Sequence, residues 1–147
     1  MVLPLDGSPE SEAAIPAAVE AAKTLGLPMA LLHVVAPVVL ATSAATDGFE
    51  SDVARLMAVA DEQAEAYMRA KTADLRAAGV ADVRGEVLRG FPATQLLDYA
   101  QAHPGSLMVM STHGRSGIGR FLLGSVTDRV VRYGQSAVLV VRPPKAG

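Results

Sequence analysis

No cysteine and no tryptophan occur among the 147 residues, and aromatic residues make up only 4% of the chain. Without thiols, a disulfide framework, a thiolate metal site and a cysteine nucleophile are all excluded. So few aromatics leave the interior to Ala, Val and Leu, as in compact layered α/β proteins rather than aromatic-rich β-sandwiches. Charge of one sign is also lacking: 13 basic residues face 15 acidic ones, for a formal net charge of −2. Binders of nucleic acid and of anionic membranes need a basic surface, so neither partner is expected. No apolar run approaches the roughly 20 residues that span a bilayer, and no basic-then-apolar leader opens the chain. His33, His103 and His113 are scattered, without the paired spacing of a zinc site. The expectation is a cytoplasmic protein with one domain over residues 1–142 and a short tail at 143–147.

What is present is apolar: half of all residues, in short runs separated by turn chemistry. Residues 1–5 read as a strand. Asp6-Gly7-Ser8-Pro9 then turns into a helix, with Ser8 as N-cap and Pro9 at the first helical position. That helix runs Ala-rich to Leu25, with a kink expected at Pro16 and a stop at Gly26. Residues 28–35 form a nearly continuous apolar run, the mark of a strand buried on both faces. Residues 36–50 lack periodicity and read as a loop. Val53, Leu56, Met57, Ala60, Ala64 and Met68 recur at helical spacing in a long helix over 51–78. A more polar strand at 83–88 belongs at the outside of the sheet. A helix at 93–103, a strand at 107–110, a helix at 126–133 and a last strand, Ala137–Val141, complete the chain. Alternation of strand and helix implies a parallel sheet with helices on both faces, joined by right-handed crossovers. Ligands in such sheets sit beyond the carboxyl ends of the strands, where strand order reverses.

The stretch STHGRSGIGRFLLGS, Ser111 to Ser125, holds four glycines, two arginines, one histidine, four hydroxyls and no acid. The dinucleotide fingerprint Gly-x-Gly-x-x-Gly starts at Gly117 and Gly119 but meets Leu122 where its last glycine belongs. The P-loop pattern spans Gly119 to Gly124 but has Ser125 in place of its lysine. Both motifs fail, yet the mechanism beneath them fits. Glycines let backbone N–H groups approach an anion, and a helix N-terminus adds a positive dipole end. The competing reading is a plain connector in which Ser125 caps its helix and Asp128 completes a capping box. That role is expected of Asp128, but it leaves Gly114, Gly117, Gly119, Arg115 and Arg120 unexplained. Asp6 ends the first strand, where a carboxylate suits a ribose hydroxyl or a metal-bound water, or is simply the polar lip of its turn. His33 reads as a satisfied core residue and His103 as part of a helix end. His113 is a donor within the glycine loop, with nothing to position a partner for acid–base work.

Taken together, VLPLDGS, LLHVV, Gly90-Phe91-Pro92 and STHGRSGIGRFLLGSVTDRVVRYGQSAVLVVRP resemble the universal stress protein family over essentially the whole chain. The family's nucleotide-binding branch carries Gly-x2-Gly-x9-Gly-Ser/Thr. Gly114, the residues 115–123, Gly124 and Ser125 match its later positions, while Ser111 replaces the first glycine. The resemblance implies a Rossmann-like five-stranded parallel sheet of order 3-2-1-4-5 with helices on both faces. It also implies ATP, with Mg or Mn, in a cleft between the first and fourth strands. The binding residues it implies are Pro4, Leu5, Asp6 and Val34 at the first two strands. Met110, Ser111, His113, Gly114 and Arg115 follow at the fourth, and Gly124, Ser125, Val126 and Thr127 at the phosphates. No catalytic residue and no protein metal ligand is assigned.

By the same resemblance the protein is a homodimer paired through its fifth strand, Ala137–Val141. The leading reading is a dimeric stress-response module that binds ATP. A slow ATPase or phosphate-transferring enzyme using the same cleft is one alternative, and a nucleotide-free protein-interaction module is another. Phosphoryl transfer needs an oriented nucleophile. The sequence offers donors but no orienting base.

Overall fold

Apolar runs too short to be core helices, each followed by an amphipathic segment, give a single parallel sheet covered on both sides. The computed structural model describes residues 1–37, 49–112 and 123–142. Within them the chain forms β1 (Val2–Pro4), α1 (Pro9–Glu12), α2 (Ile15–Leu25) and β2 (Met29–Val35). Then come α3 (Phe49–Ala77), β3 (Val83–Arg89), α4 (Pro92–Ala102), β4 (Leu107–Ser111), α5 (Ser125–Tyr133) and β5 (Ala137–Val141). The strand order is β3-β2-β1-β4-β5, and all pairs are parallel. Fold class, strand order and the outer position of β3 are as the sequence led us to expect.

Alternation along each strand sorts the core into two layers. Leu3, Leu5, Met29, Leu31, Val83 and Val109 point to one face, where Ala14 at the start of α2, Ala18 and Ala22 of α2, and Met68 and Leu75 of α3 cover them. Val2, Ala30, Leu32, Met108 and Met110 point to the other, beneath Leu96, Tyr99 and Ala100 of α4 and Val130 of α5. The register Val2↔Ala30 and Val2↔Met108 keeps these layers aligned across the centre. Burying each Leu or Met contributes about 1.5–3 kcal/mol, so a slip of one residue, which would invert the layers, is strongly opposed. Small alanines on α2 bring its backbone close to the sheet.

Two local expectations need correction. The helix expected from Pro9 to Leu25 is two helices, because Pro16 has no N–H to continue a ladder and sits instead in the first turn of α2. Ser8 caps α1 as expected, its Oγ accepting from the Ser11 amide at 3.1 Å. At α5 the N-cap is Gly124, not Ser125, with no capping side chain. The Gly124 amide donates to the Thr112 carbonyl at 2.5 Å, which starts the helix one residue early. Asp128 therefore forms no capping box; its carboxylate accepts from Arg132 Nε at 2.8 and 2.9 Å.

Gly134 ends α5 for a steric reason. Its φ of −75° suits any residue, but a Cβ there would lie 2.5 Å from the Val130 carbonyl oxygen. Gly134→Ala is expected to destabilise the fold by about 1–3 kcal/mol, read as a lower urea midpoint at unchanged slope.

Candidate functional site

β1 lies between β2 and β4, so strand order reverses beside it. The chain leaving β1 enters α1 and α2 on one face, whereas the chain leaving β4 reaches α5 on the other. Loops diverging from neighbouring strands leave a gap at their carboxyl ends. The gap is a cavity of about 690 Å³.

Pro4, Leu5 and Asp6 from the end of β1, Val34 from β2, and Met110 and Ser111 from β4 all line it. Gly124, Ser125, Val126 and Thr127 close one end. The other expected residues, His113, Gly114 and Arg115, lie outside the described residues. Gly124 has φ −55° and ψ 150°, so positive φ is not what a glycine supplies there. Helix amides of the first turn have no intrahelical partner, and the N-cap residue of α5, Gly124, brings no side chain to cap them. Thr127 Oγ1 donates to the Ser111 carbonyl at 2.8 Å, tying the helix mouth to the end of β4.

Asp6 is held by its own turn. Its Oδ1 accepts from the Ser8 amide at 2.9 Å and from Ser8 Oγ at 2.6 Å. The Asp6 amide donates to Ser11 Oγ at 3.3 Å. The polar lip and the cleft carboxylate are thus the same residue. Asp6 is the one acid among the described residues lining the cavity, and no group of three or more metal-ligating side chains occurs among the described residues.

His33 is not a core residue. β2 is fully buried as far as Leu32 and only partly from His33 onward, because the strand there runs past its helical cover into the cleft. The His33 Nδ1 donates to the Leu5 carbonyl at 2.8 Å, and its ring meets that of Tyr67 edge-on at 5.7 Å between centroids. His103 sits at the end of α4, as expected.

The wall supplied by α3 was missing from the sequence reading. Ala60, Gln63, Ala64 and Tyr67 line the cavity. Their 3–4-residue spacing was the available signal, but a helical stripe does not reveal which part of it overhangs a sheet end. Tyr67 donates to Glu12 Oε1 at 2.8 Å, and Lys71 donates to Oε2 at 2.8 Å. Burial, then the bond to Glu12, raises the Tyr67 phenol far above its usual range. For Glu12, burial pushes the pKa up, but the hydrogen bonds from Lys71 and Tyr67 and the Lys71 charge outweigh it and leave the carboxyl low.

Residues 1–142 match the universal stress protein family. The chain belongs to that family. YxiE of Bacillus subtilis, a universal stress protein, is 29% identical over 144 residues covering 97% of each chain. A universal stress protein of Mycolicibacterium smegmatis is 34% identical over 97% of this chain. This chain spans only 45% of that protein, and 37% of a Methanocaldococcus jannaschii universal stress protein to which it is 41% identical over 63 residues. Among solved structures, universal stress protein UspA from Lactobacillus plantarum superposes with a TM-score of 0.83 at 25% identity, covering 96% of this chain and 95% of that one. A universal stress protein in complex with cAMP (TM-score 0.61, 23% identity, 96% and 94% covered) shares the fold. So does one from Archaeoglobus fulgidus in complex with dAMP (TM-score 0.57, 18% identity, 95% and 94% covered). No described helix of this universal stress protein is long and apolar enough to cross a membrane.

The Glu12 arrangement predicts a pH dependence. A carboxyl held below its ordinary value of 4.5 contributes stability that is complete above that value and is lost as pH falls through the lowered folded-state pKa. Glu12→Gln should therefore flatten the acid limb of a plot of melting temperature against pH, with its deficit largest above pH 4.5 and shrinking below it.

Proposed function

We propose that this universal stress protein binds an adenine nucleotide, ATP foremost, in the cleft beyond β1 and β4, and acts as a dimeric stress-response module. The observation that carries the reading is the pairing of a cavity of about 690 Å³ with the first turn of α5, whose N-cap Gly124 has no side chain to cap it, in its wall. That volume is in the usual range for small-molecule sites, about 300–1,000 Å³. Amides of Ser125, Val126 and Thr127 supply the positive end of a helix dipole where phosphates would lie. Val34, Leu5 and Met110 supply an apolar surface for a base. The cAMP and dAMP complexes of proteins with this fold support a nucleotide of this class.

Asp6, fixed by Ser8, suits a ribose hydroxyl. A divalent ion fits the site through the phosphates, retaining waters as Mg²⁺ does, with one carboxylate nearby rather than a protein cage. Such an ion would neutralise phosphate charge. The protein's own residues bind and orient; the Ser8 hydroxyl that meets the Asp6 carboxylate is engaged within its own turn and helix cap. Retention of ATP with slow turnover is the expected behaviour.

Assembly follows from the sheet edge. β5 is terminal, Leu139 is 40% exposed, and Ala137 is exposed as well. An apolar edge of this kind is stabilised by a second copy of itself across a two-fold axis.

Two measurements follow. Gly124→Val should weaken Mg-ATP binding roughly a hundredfold or more, while the fold persists, because Val readily adopts the φ and ψ of Gly124. Calorimetric titration checks the affinity and circular dichroism the fold; undiminished binding by a folded Gly124→Val protein would remove the phosphate-cradle reading. In size-exclusion light scattering the wild type should have twice the chain mass at micromolar concentration, and Leu139→Lys should release monomer or aggregate.

A further inference from the structure

The cleft is walled by chemically different groups on its α5 and α3 sides. On the α5 side the helix amides and Gly124 present donors. On the side formed by β2 and α3, ionic groups on and beside α3 lie outside the cavity lining and are committed to one another. Lys71 pairs with Glu12 at 2.8 Å, and Arg89 pairs with Asp61 at 2.7 Å, with a further bond at 3.0 Å. The four α3 residues lining this side, Ala60, Gln63, Ala64 and Tyr67, carry no charge. The two alanines leave a flat recess between helix turns. The Tyr67 hydroxyl is engaged by Glu12. Of this wall, Gln63 is left as the side chain whose polar atoms can address an incoming edge, and it stands exposed at the cavity rim.

We propose that Gln63 is the base-discriminating residue of the cleft, selecting adenine over guanine. The inference rests on the nucleotide reading above and adds its specificity. A glutamine amide offers one donor and one acceptor side by side, matching the N7 acceptor and N6 donor of adenine. Guanine presents two acceptors, O6 and N7, so the same amide sets its carbonyl oxygen against an acceptor. An arginine at this position would present two donors and match guanine instead.

The test uses the full chain and three probes: Mg-ATP, Mg-GTP and tripolyphosphate, each titrated calorimetrically into the wild type, Gln63→Ala and Gln63→Arg. Gln63 is exposed on a helix, and Ala and Arg are both good helix formers, so folding is retained, as melting curves would verify. The wild type should prefer ATP to GTP. Gln63→Ala should lose roughly tenfold in ATP affinity, with GTP and tripolyphosphate unchanged. Gln63→Arg should shift preference to GTP with no gain for tripolyphosphate. An unchanged ATP-to-GTP ratio in Gln63→Ala overturns the assignment while leaving the nucleotide site standing. An equal gain for GTP and tripolyphosphate in Gln63→Arg overturns it too, since the side chain would then be sensing phosphate charge. Failure of the wild type to bind either nucleotide overturns the nucleotide reading itself, and the base assignment with it.

Discussion

The reversal of strand order beside β1 is the constraint on which the rest of this molecule depends. Every crossover in a parallel sheet is right-handed. A chain that steps from β1 to β2 and β3 must therefore lay its helices on one face. When it returns past β1 to β4 and β5, it must lay them on the other. α1 to α3 and α4 to α5 divide in this way. The carboxyl ends of β1 and β4 are left with connections that part company, and water or a ligand fills the space. No particular side chain creates the cleft. It is a consequence of handedness and strand order.

Given the cleft, its chemistry follows from which groups satisfy one another. Two ion pairs link α3 to its neighbours, Lys71 with Glu12 of α1 and Asp61 with Arg89 of β3. The hydroxyls of Ser8 and Ser11 are spent on capping α1 and fixing Asp6. The first amides of α5 are different: glycine stands where a capping side chain would be. Glycine is an accepted N-cap residue, but it brings no side chain to these amides at the mouth of the cavity. Helix amides at one side and a single carboxylate among the described lining residues are the features behind the proposed hold on an anion. Membership in the universal stress protein family accords with that reading.

The cleft wall contributed by α3 also links the fold to the site. Tyr67 belongs to the packed layer through its ring contact with His33, to the polar surface through Glu12, and to the cavity through its position. Removing its hydroxyl partner or its ring would disturb the packing of α1 against α3 as well as the shape of the recess. Gln63, one turn earlier and exposed, carries no such structural duty. That separation is why a change at Gln63 is expected to leave the core intact.

Much of the architecture was legible along the chain because it is set by local chemistry. Buried strands announced themselves as apolar runs, Ser8 and Gly26 as helix punctuation, and β3 as an outer strand by its polarity. The family's glycine spacing pointed to α5, and ten of the expected site residues line one cavity. What the sequence left open depends on partners far away in the chain. Pro16 starts a second helix rather than bending one, since the packing of Ala14 and Ala18 against the sheet fixes where α2 begins. Gly124 displaces Ser125 as the cap because its amide meets Thr112, 12 positions back. His33 faces the cleft because β2 outruns its cover, and Tyr67 finds Glu12 across a separation of 55 residues. Periodicity tells a helix which side to bury; only the docked sheet, by ending where it does, turns part of that buried side into the wall of a site.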